Sequence, residues 1–222
     1  MTNLSRRDAL IAAGGLGAAA VGAASLFGSA DPAAAADCVL LQREVTEGPY
    51  YVDLELVRRN IKEDRKGIPL TLRFRVFNVN TCRIIRRAAV EIWHADGSGT
   101  YSAVNGNSDT YLRGIQRTNA QGWARFETIY PGWYMGRTPH IHMKLFVSGS
   151  EVHTGQVFMK DAVSARVYSR AAYGSRGQAD TTNSDDMIYR EAGRRALLHL
   201  RRKGDRVVDG YTGTLDIGVR PS

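Results

Sequence analysis

Alternating apolar and polar residues constrain the fold of this chain more than any other feature. Between residues 68 and 79, Leu70, Leu72, Phe74 and Val76 alternate with polar or basic neighbours. A period of two is typical of a β-strand that buries one of its faces. Similar short runs occupy residues 88–94, 124–130, 140–147, 152–159 and 211–219.

Turn-forming pairs separate these runs. They are Asp96-Gly97, Asn105-Gly106, Gln121-Gly122, Pro131-Gly132 and Ser148-Gly149. Such pairs favour tight turns because glycine accepts backbone conformations that other residues avoid. Several short strands separated by turns predict a mostly β fold, an antiparallel β-sandwich with short helices and long loops.

Helical periodicity is confined to the later part of the chain. Residues 184–200 begin with Ser184, Asp185 and Asp186, which can cap a helix, and then place apolar residues on one face. Much of the formal net charge of +8 clusters nearby, at Arg190, Arg194, Arg195, Arg201, Arg202, Lys203 and Arg206. We interpret this cluster as the solvated face of the helix, and we expect no nucleic-acid partner.

The N-terminus has the pattern of an export leader. Ser5-Arg6-Arg7-Asp8 precedes a Gly- and Ala-rich apolar stretch over residues 9–27, and alanines follow at residues 33–36. This pattern resembles a twin-arginine signal peptide of residues 1–36, so residues 37–222 are predicted to form the mature domain. We expect export by the twin-arginine route to the periplasm or the extracellular space. No stable membrane anchor is expected after processing, because glycine and alanine are only weakly hydrophobic.

The chain has two cysteines, Cys38 and Cys82, and both belong to the predicted exported portion. An oxidising compartment permits a disulfide between them, which would tie the mature N-terminus to the rest of the domain. Lipid modification of Cys38 is disfavoured because Asp37 directly precedes it. Two cysteines so far apart are also too few for a structural zinc site.

Two histidines, His140 and His142, lie within one strand-like run. Residues two apart in a strand point to the same face, so both imidazoles can reach one metal ion while Ile141 faces the other side. This spacing alone is also compatible with an ordinary pair of core or surface histidines. The interpretation therefore depends on the residues that surround the pair.

Two turn-rich segments present tyrosines near the histidine pair in sequence. A Gly-rich turn leads from Trp93 to Tyr101, and a second turn-rich segment around Tyr134 precedes His140. With these segments the chain resembles the intradiol ring-cleavage dioxygenases, the family of protocatechuate and catechol dioxygenases. The matching motifs are Trp93 with Tyr101 eight positions later, Pro131-Gly132-Trp133-Tyr134, Arg137-Thr138-Pro139-His140-Ile141-His142, and Glu47-Gly48-Pro49-Tyr50-Tyr51.

The resemblance implies a non-haem Fe(III) site and a reaction. The implied metal ligands are Tyr101, Tyr134, His140 and His142, with Tyr134 the tyrosinate that leaves the metal. Arg137 and Gln156 are the further implied catalytic residues, and Tyr50 and Arg137 are expected to contact substrate. The implied reaction is cleavage by O2 of a small aromatic diol between its two hydroxyls, giving a cis,cis-muconate-type diacid.

Two alternatives remain open from the sequence. One is a secreted β-sandwich binding module with a structural or idle metal. The other is a zinc or copper site built from His140, His142 and one of His94 or His153.

Self-association into a homo-oligomer is possible, but the short segment before Glu47 does not resemble the helical dimerisation segment of the catechol-cleaving branch. The short link from Tyr134 to His140 predicts an open site for bulky or substituted catechols.

Overall fold

A computed structural model describes residues 39–221. The predicted signal peptide of residues 1–36 and Cys38 lie outside these residues, so the leader and the disulfide with Cys82 stay predictions. Residues 39–221 form two β-sheets and a few short helices, which confirms the predicted mostly β sandwich.

The first sheet has five strands and is built around β1 (Pro69–Asn78). Two strands pair antiparallel with β1, namely β5 (Trp123–Ile129) and the short β2 (Arg83–Ile84). The last strand, β9 (Tyr211–Val219), pairs parallel with β1, which departs from the all-antiparallel prediction. Strand β8 (His199–Arg202) completes the sheet against β9.

The second sheet has four antiparallel strands in the order β4-β3-β6-β7. They are β3 (Ala89–Trp93), β4 (Arg113–Arg117), β6 (His140–Val147) and β7 (Ser150–Phe158). The register places Trp93 beside His142, and His142 beside Gln156. Three residues of the predicted site or its motifs are therefore neighbours on adjacent strands.

The main core lies between the two sheets. Leu72, Phe74 and Phe126 come from the first sheet, and Ile141 and Met143 come from the second. Because successive strand residues face opposite sides, burying Ile141 and Met143 in this core directs His140 and His142 to the other face of the second sheet. The candidate site therefore lies on the outer face of that sheet, where loops cover it.

The predicted helix over residues 184–200 is mostly wrong. The chain has α1 (Asp161–Tyr168) and α2 (Met187–Ala192), and α2 begins after Asp186, whose side chain accepts hydrogen bonds from the backbone of Ile188 and Tyr189. It ends at Gly193, where the backbone turns with φ of 75°. A 3-10 turn and then β8 follow, so Arg201 and Arg202 lie on a strand rather than on a helix face.

Pairing of β8 with β9 explains this outcome. Backbone hydrogen bonding to β9, the next strand along the chain, overrides the end of the local helical pattern, which is only a weak preference. Short 3-10 turns span Arg194–Ala196 and Val207–Asp209. Within residues 39–221, none of the helices has the length and apolar character that crossing a membrane requires.

Candidate metal centre

Four side-chain atoms converge above the outer face of the second sheet. The Tyr101 Oη atom lies 3.0 Å from His142 Nε2 and 3.4 Å from His140 Nε2. The Tyr134 Oη atom lies 3.1 Å from His140 Nε2, and the two Nε2 atoms are 3.1 Å apart. The structure thus brings together all four residues that the sequence predicted as ligands.

These spacings fit one shared metal ion. Two donors that each lie about 2.0 Å from one ion are about 2.8 Å apart at an angle of about 90° and about 3.5 Å apart at about 120°. The observed separations of 3.0–3.4 Å lie within that range. Two nitrogen and two oxygen donors of this kind suit a transition metal, and phenolate oxygens favour the higher oxidation state of iron.

The two imidazoles are prepared to bind a metal as neutral ligands. His140 Nδ1 lies 2.7 Å from the Thr138 carbonyl oxygen, which fixes the proton on Nδ1 and leaves the Nε2 lone pair facing the other donors. Burial, with the positive charge of Arg137, lowers the pKa of His140 to about 3. Burial also lowers the pKa of His142 well below its ordinary value.

The two phenols differ in their exposure. Tyr101 is only 4% exposed, and its burial raises its pKa well above the ordinary value. Tyr134 is half-buried, and burial raises its pKa as well, although the charge of Arg137 opposes the shift. Without a cation both phenols therefore keep their protons, and a bound metal ion would supply the charge that allows them to ionise.

Two interlocked turns aim the tyrosines at this point. Asp96 Oδ1 accepts hydrogen bonds from the backbone of Ser98 and Thr100 at 2.8 and 3.1 Å, which shapes the turn that leads to Tyr101. Gly132, in the segment that leads to Tyr134, packs its backbone against the Asp96 carbonyl, and a Cβ atom there would overlap that oxygen. Only glycine permits this approach, so the two tyrosine-bearing loops are held in contact.

Arg137 lies beside the four donors. Its Nη1 donates to Tyr134 Oη at 3.3 Å, and its Nη2 donates to Gln156 Oε1 at 2.6 Å. Gln156 in turn donates to the Thr46 carbonyl at 2.9 Å. Both residues therefore border the centre as the sequence predicted, while their catalytic roles stay predictions.

Aromatic rings wall the centre. Tyr50 stacks on Tyr101 with ring centroids 4.4 Å apart and packs edge-on against Tyr134 at 6.0 Å. Trp93 stacks on His142 with centroids 5.0 Å apart and planes 10° from parallel. Tyr50 thus packs against both tyrosines of the centre, and its contact with substrate stays a prediction.

The other histidines do not join the centre. Both ring nitrogens of His94 already have partners, the Ala95 carbonyl and Thr128 Oγ1 at 2.8 and 2.7 Å. His153 is also buried, with 2% of its surface exposed. Among residues 39–221, no group of three His, Cys, Asp or Glu side chains could hold a metal ion. This result removes the three-histidine zinc or copper site as an alternative within that range.

The sequence analysis did not predict that Asp186 and Arg113 contact residues of the centre. Asp186 binds Arg137 Nε at 2.8 Å, and the buried Arg113 donates to the carbonyls of Tyr50 and Ser102 at 2.9 and 2.6 Å. Each has a partner far away in the sequence, Arg137 for Asp186 and Tyr50 for Arg113. No local pattern marks either residue, although an aspartate before a helix does indicate its capping role.

Comparison with known proteins agrees with this geometry. A family model described as "Dioxygenase" (Dioxygenase_C) matches residues 46–167. An intradiol ring-cleavage dioxygenase from Tetranychus urticae is 32% identical, with a TM-score of 0.77 over 82% of this chain and 95% of that one. A search of curated proteins finds no match.

Two bacterial structures are more distant. The dioxygenase domain of a dioxygenase carbohydrate-binding protein fusion from Streptomyces sp. SirexAA-E is 26% identical, with a TM-score of 0.62 over 82% of this chain and 99% of that one. A 3-chlorocatechol 1,2-dioxygenase from Rhodococcus opacus 1CP is 19% identical, with a TM-score of 0.61 over 82% and 74% of the two chains, and supports the fold alone. From the family match and the relative from Tetranychus urticae together, the chain belongs to the intradiol ring-cleavage dioxygenases.

Proposed function

We propose that this enzyme uses O2 to cleave a catechol-type ring between its two hydroxyl-bearing carbons, at a non-haem Fe(III) ion held by Tyr101, Tyr134, His140 and His142. The observation that carries the proposal is the convergence of two phenol oxygens and two imidazole nitrogens at 3.0–3.4 Å. The product would be a cis,cis-muconate-type diacid that contains both atoms of O2.

The donor set favours iron in the ferric state. Two phenolates and one hydroxide together neutralise the three positive charges of Fe(III), and hard anionic oxygens stabilise that state over Fe(II). When bound, the ferric ion would accept electron density from a catecholate and so prepare the ring carbon for attack by O2.

The two tyrosines are suited to different tasks. Tyr101 is buried beneath Tyr50, whereas Tyr134 is half-buried on a loop that precedes β6. We assign Tyr134 Oη as the base that accepts a proton from the incoming catechol, which requires it to leave the metal. Tyr101 would stay bound and hold the site together.

Arg137 and Tyr50 would act on the substrate. The Arg137 guanidinium lies 3.3 Å from Tyr134 Oη, so it is close to the position that the diol would take when Tyr134 moves. A fixed positive charge there stabilises negative charge that develops on the ring during oxygen attack. Tyr50 would pack against the aromatic face of the substrate, and Gln156 would keep Arg137 in place through their 2.6 Å hydrogen bond.

The site is proposed to accept bulky or substituted catechols. The loop between Tyr134 and Arg137 is exposed at Met135 and Gly136, and Met135 is 85% exposed. A substituent that extends past Tyr134 would therefore meet solvent rather than a wall. Rates with catechol, protocatechuate, hydroxyquinol and ring-extended analogues test this, and failure on every bulky analogue would count against it.

The test of the main proposal is spectroscopic and chemical. Protein reconstituted with ferric iron should absorb in the visible through its iron-bound tyrosinates, and anaerobic addition of a catechol should shift that absorption. Turnover under ¹⁸O2 should place two labelled oxygen atoms in the diacid product. A colourless iron-loaded protein would refute the ligand set and favour a binding module with an idle metal.

A matched pair of variants sharpens this test. Tyr134→Phe should change the visible spectrum and reduce kcat about 10²- to 10⁴-fold, the usual contribution of a positioned acid or base. Tyr111→Phe is the control, because Tyr111 packs under Arg65 at 4.4 Å instead of joining the four donors. An unchanged spectrum in Tyr134→Phe would contradict the role of this phenol as a ligand.

Export, the disulfide and assembly also remain proposals. We propose that residues 1–36 direct the chain through the twin-arginine route to the periplasm or the extracellular space, and that Cys38 and Cys82 are bonded there. Mass spectrometry of the exported protein would give both the cleavage point and the thiol count. Homo-oligomerisation would be measured by light scattering on the same sample.

A further inference from the structure

We propose that Asp186 is a positioning residue that holds both Arg137 and the His140 ligand through one carboxylate. This inference rests on the proposed function, since it concerns how the ring-cleavage site is kept in order. Asp186 lies 49 residues after Arg137 and caps α2 from outside the motifs that define the centre.

The first set of contacts orients the guanidinium. Asp186 Oδ2 accepts from Arg137 Nε at 2.8 Å, while Arg137 Nη2 donates to Gln156 at 2.6 Å. With these two groups engaged, the planar guanidinium can rotate little, and its Nη1 faces Tyr134 Oη. Arg137 is therefore held in one orientation before any substrate binds. This lowers the entropic cost of placing its positive charge beside the substrate.

The second set of contacts reaches the metal ligand. The same Oδ2 atom accepts from the Thr138 backbone nitrogen at 3.0 Å, and the Thr138 carbonyl accepts from His140 Nδ1 at 2.7 Å. One residue thus separates Asp186 from the imidazole. Partners of this kind orient metal ligands, and their loss typically costs 10- to 100-fold in metal affinity or activity.

The remaining oxygen has a separate, structural task. Asp186 Oδ1 accepts from the backbone of Ile188 and Tyr189 at 2.8 and 3.1 Å, which caps α2. Its side chain is only 1% exposed and that of Arg137 is 17% exposed, so the ion pair is largely shielded from water. Asparagine and serine are also good caps, so capping and positioning can be separated by substitution.

The experiment compares Asp186→Asn and Asp186→Ser with Asp185→Asn in the iron-loaded protein. Asp185 is the exposed neighbouring acid, bonded to Thr182 Oγ1, and its change removes the same charge without touching Arg137. Both Asp186 variants should keep their visible absorption and lose about 10- to 100-fold in kcat, with a smaller change in KM. The Asp185 variant should match wild type in all three.

A double-mutant cycle with Arg137→Gln distinguishes positioning from folding. Asp186→Asn should cost less kcat in the Arg137→Gln background than in wild type, because only the path through Thr138 to His140 is then left to lose, and the two changes should also be non-additive in the Tm of the metal-free protein. Wild-type kcat in Asp186→Asn, or an equal loss of kcat in both backgrounds, would overturn the proposal. A wild-type protein that is colourless with iron and inactive on every catechol would overturn the proposed function, and this inference with it.

Discussion

Glu91 offers a direct test of how burial on the site-bearing sheet affects stability. It lies on β3 and is 7% exposed, and its side chain accepts one hydrogen bond within residues 39–221, from Tyr51 Oη at 3.3 Å. The nearby Lys144 pairs instead with Glu47 and Glu151 at 2.7 and 3.0 Å. Burial, and then the charge of Asp53, raise the pKa of Glu91 from 4.5 to about 7, although Lys144 opposes the shift.

The raised pKa of Glu91 makes the unfolding free energy depend on pH. A carboxyl with a raised pKa binds its proton more tightly in the folded state. The contribution of Glu91 to the unfolding free energy is therefore fully present below pH 4.5 and is lost as the pH rises towards 7. The difference of 2.5 between 7 and 4.5 corresponds to about 3 kcal/mol at 1.36 kcal/mol per unit. This is an upper bound, because a groove of about 470 Å³ beside Glu91 admits water.

Glu91→Gln should therefore stabilise the protein at pH 8 by up to about 3 kcal/mol and have little effect at pH 4. For a domain of this size the gain corresponds to a rise in Tm of roughly 6–12 °C. Denaturant unfolding at both pH values measures the difference, with Glu55→Gln as the control because Glu55 is an exposed acid in the same groove. A Glu91→Gln protein no more stable than wild type at pH 8 would refute the reasoning.

Three further changes test the centre. Removal of iron by a chelator should lower the unfolding free energy by about 4 kcal/mol if free metal had stood at a thousand times its Kd, and calorimetry of both forms measures this. Gly132→Ala should displace the Tyr134 loop, because the new Cβ overlaps the Asp96 carbonyl, and metal analysis should then find less iron. Arg113→Met should free the carbonyls of Tyr50 and Ser102, and steady-state kinetics should show KM for catechol rising about tenfold.

Local patterns in the sequence were sufficient for six of the nine strands in the described residues and for the histidine pair, whereas β2, β4 and β8 were not predicted. The alternation at Leu72 and Phe74 predicts a half-buried strand, since residues of one parity must leave water. The same rule places His140 and His142 on one face of β6, where the structure finds their Nε2 atoms 3.1 Å apart. These inferences succeed because their physical causes act within a few residues.

The tyrosines were predicted in another way. Neither Tyr101 nor Tyr134 has a periodic pattern that brings it to the histidines, and the resemblance to a family supplied the assignment. In the structure their approach depends on Gly132 packing against Asp96, a contact between two separate loops. Sequence spacing alone does not encode that contact.

What only the tertiary structure decided has one shared cause, contact between distant segments. Strand β9 lies parallel to β1, which is at the opposite end of the domain sequence. Arg137 is oriented by Asp186, and Tyr50 by Arg113, 63 residues away. The sequence by itself determined which strand faces are buried and that His140 and His142 share one face of a strand. The fold determined which charges hold those donors in place, because ion pairing depends on distance in space rather than along the chain.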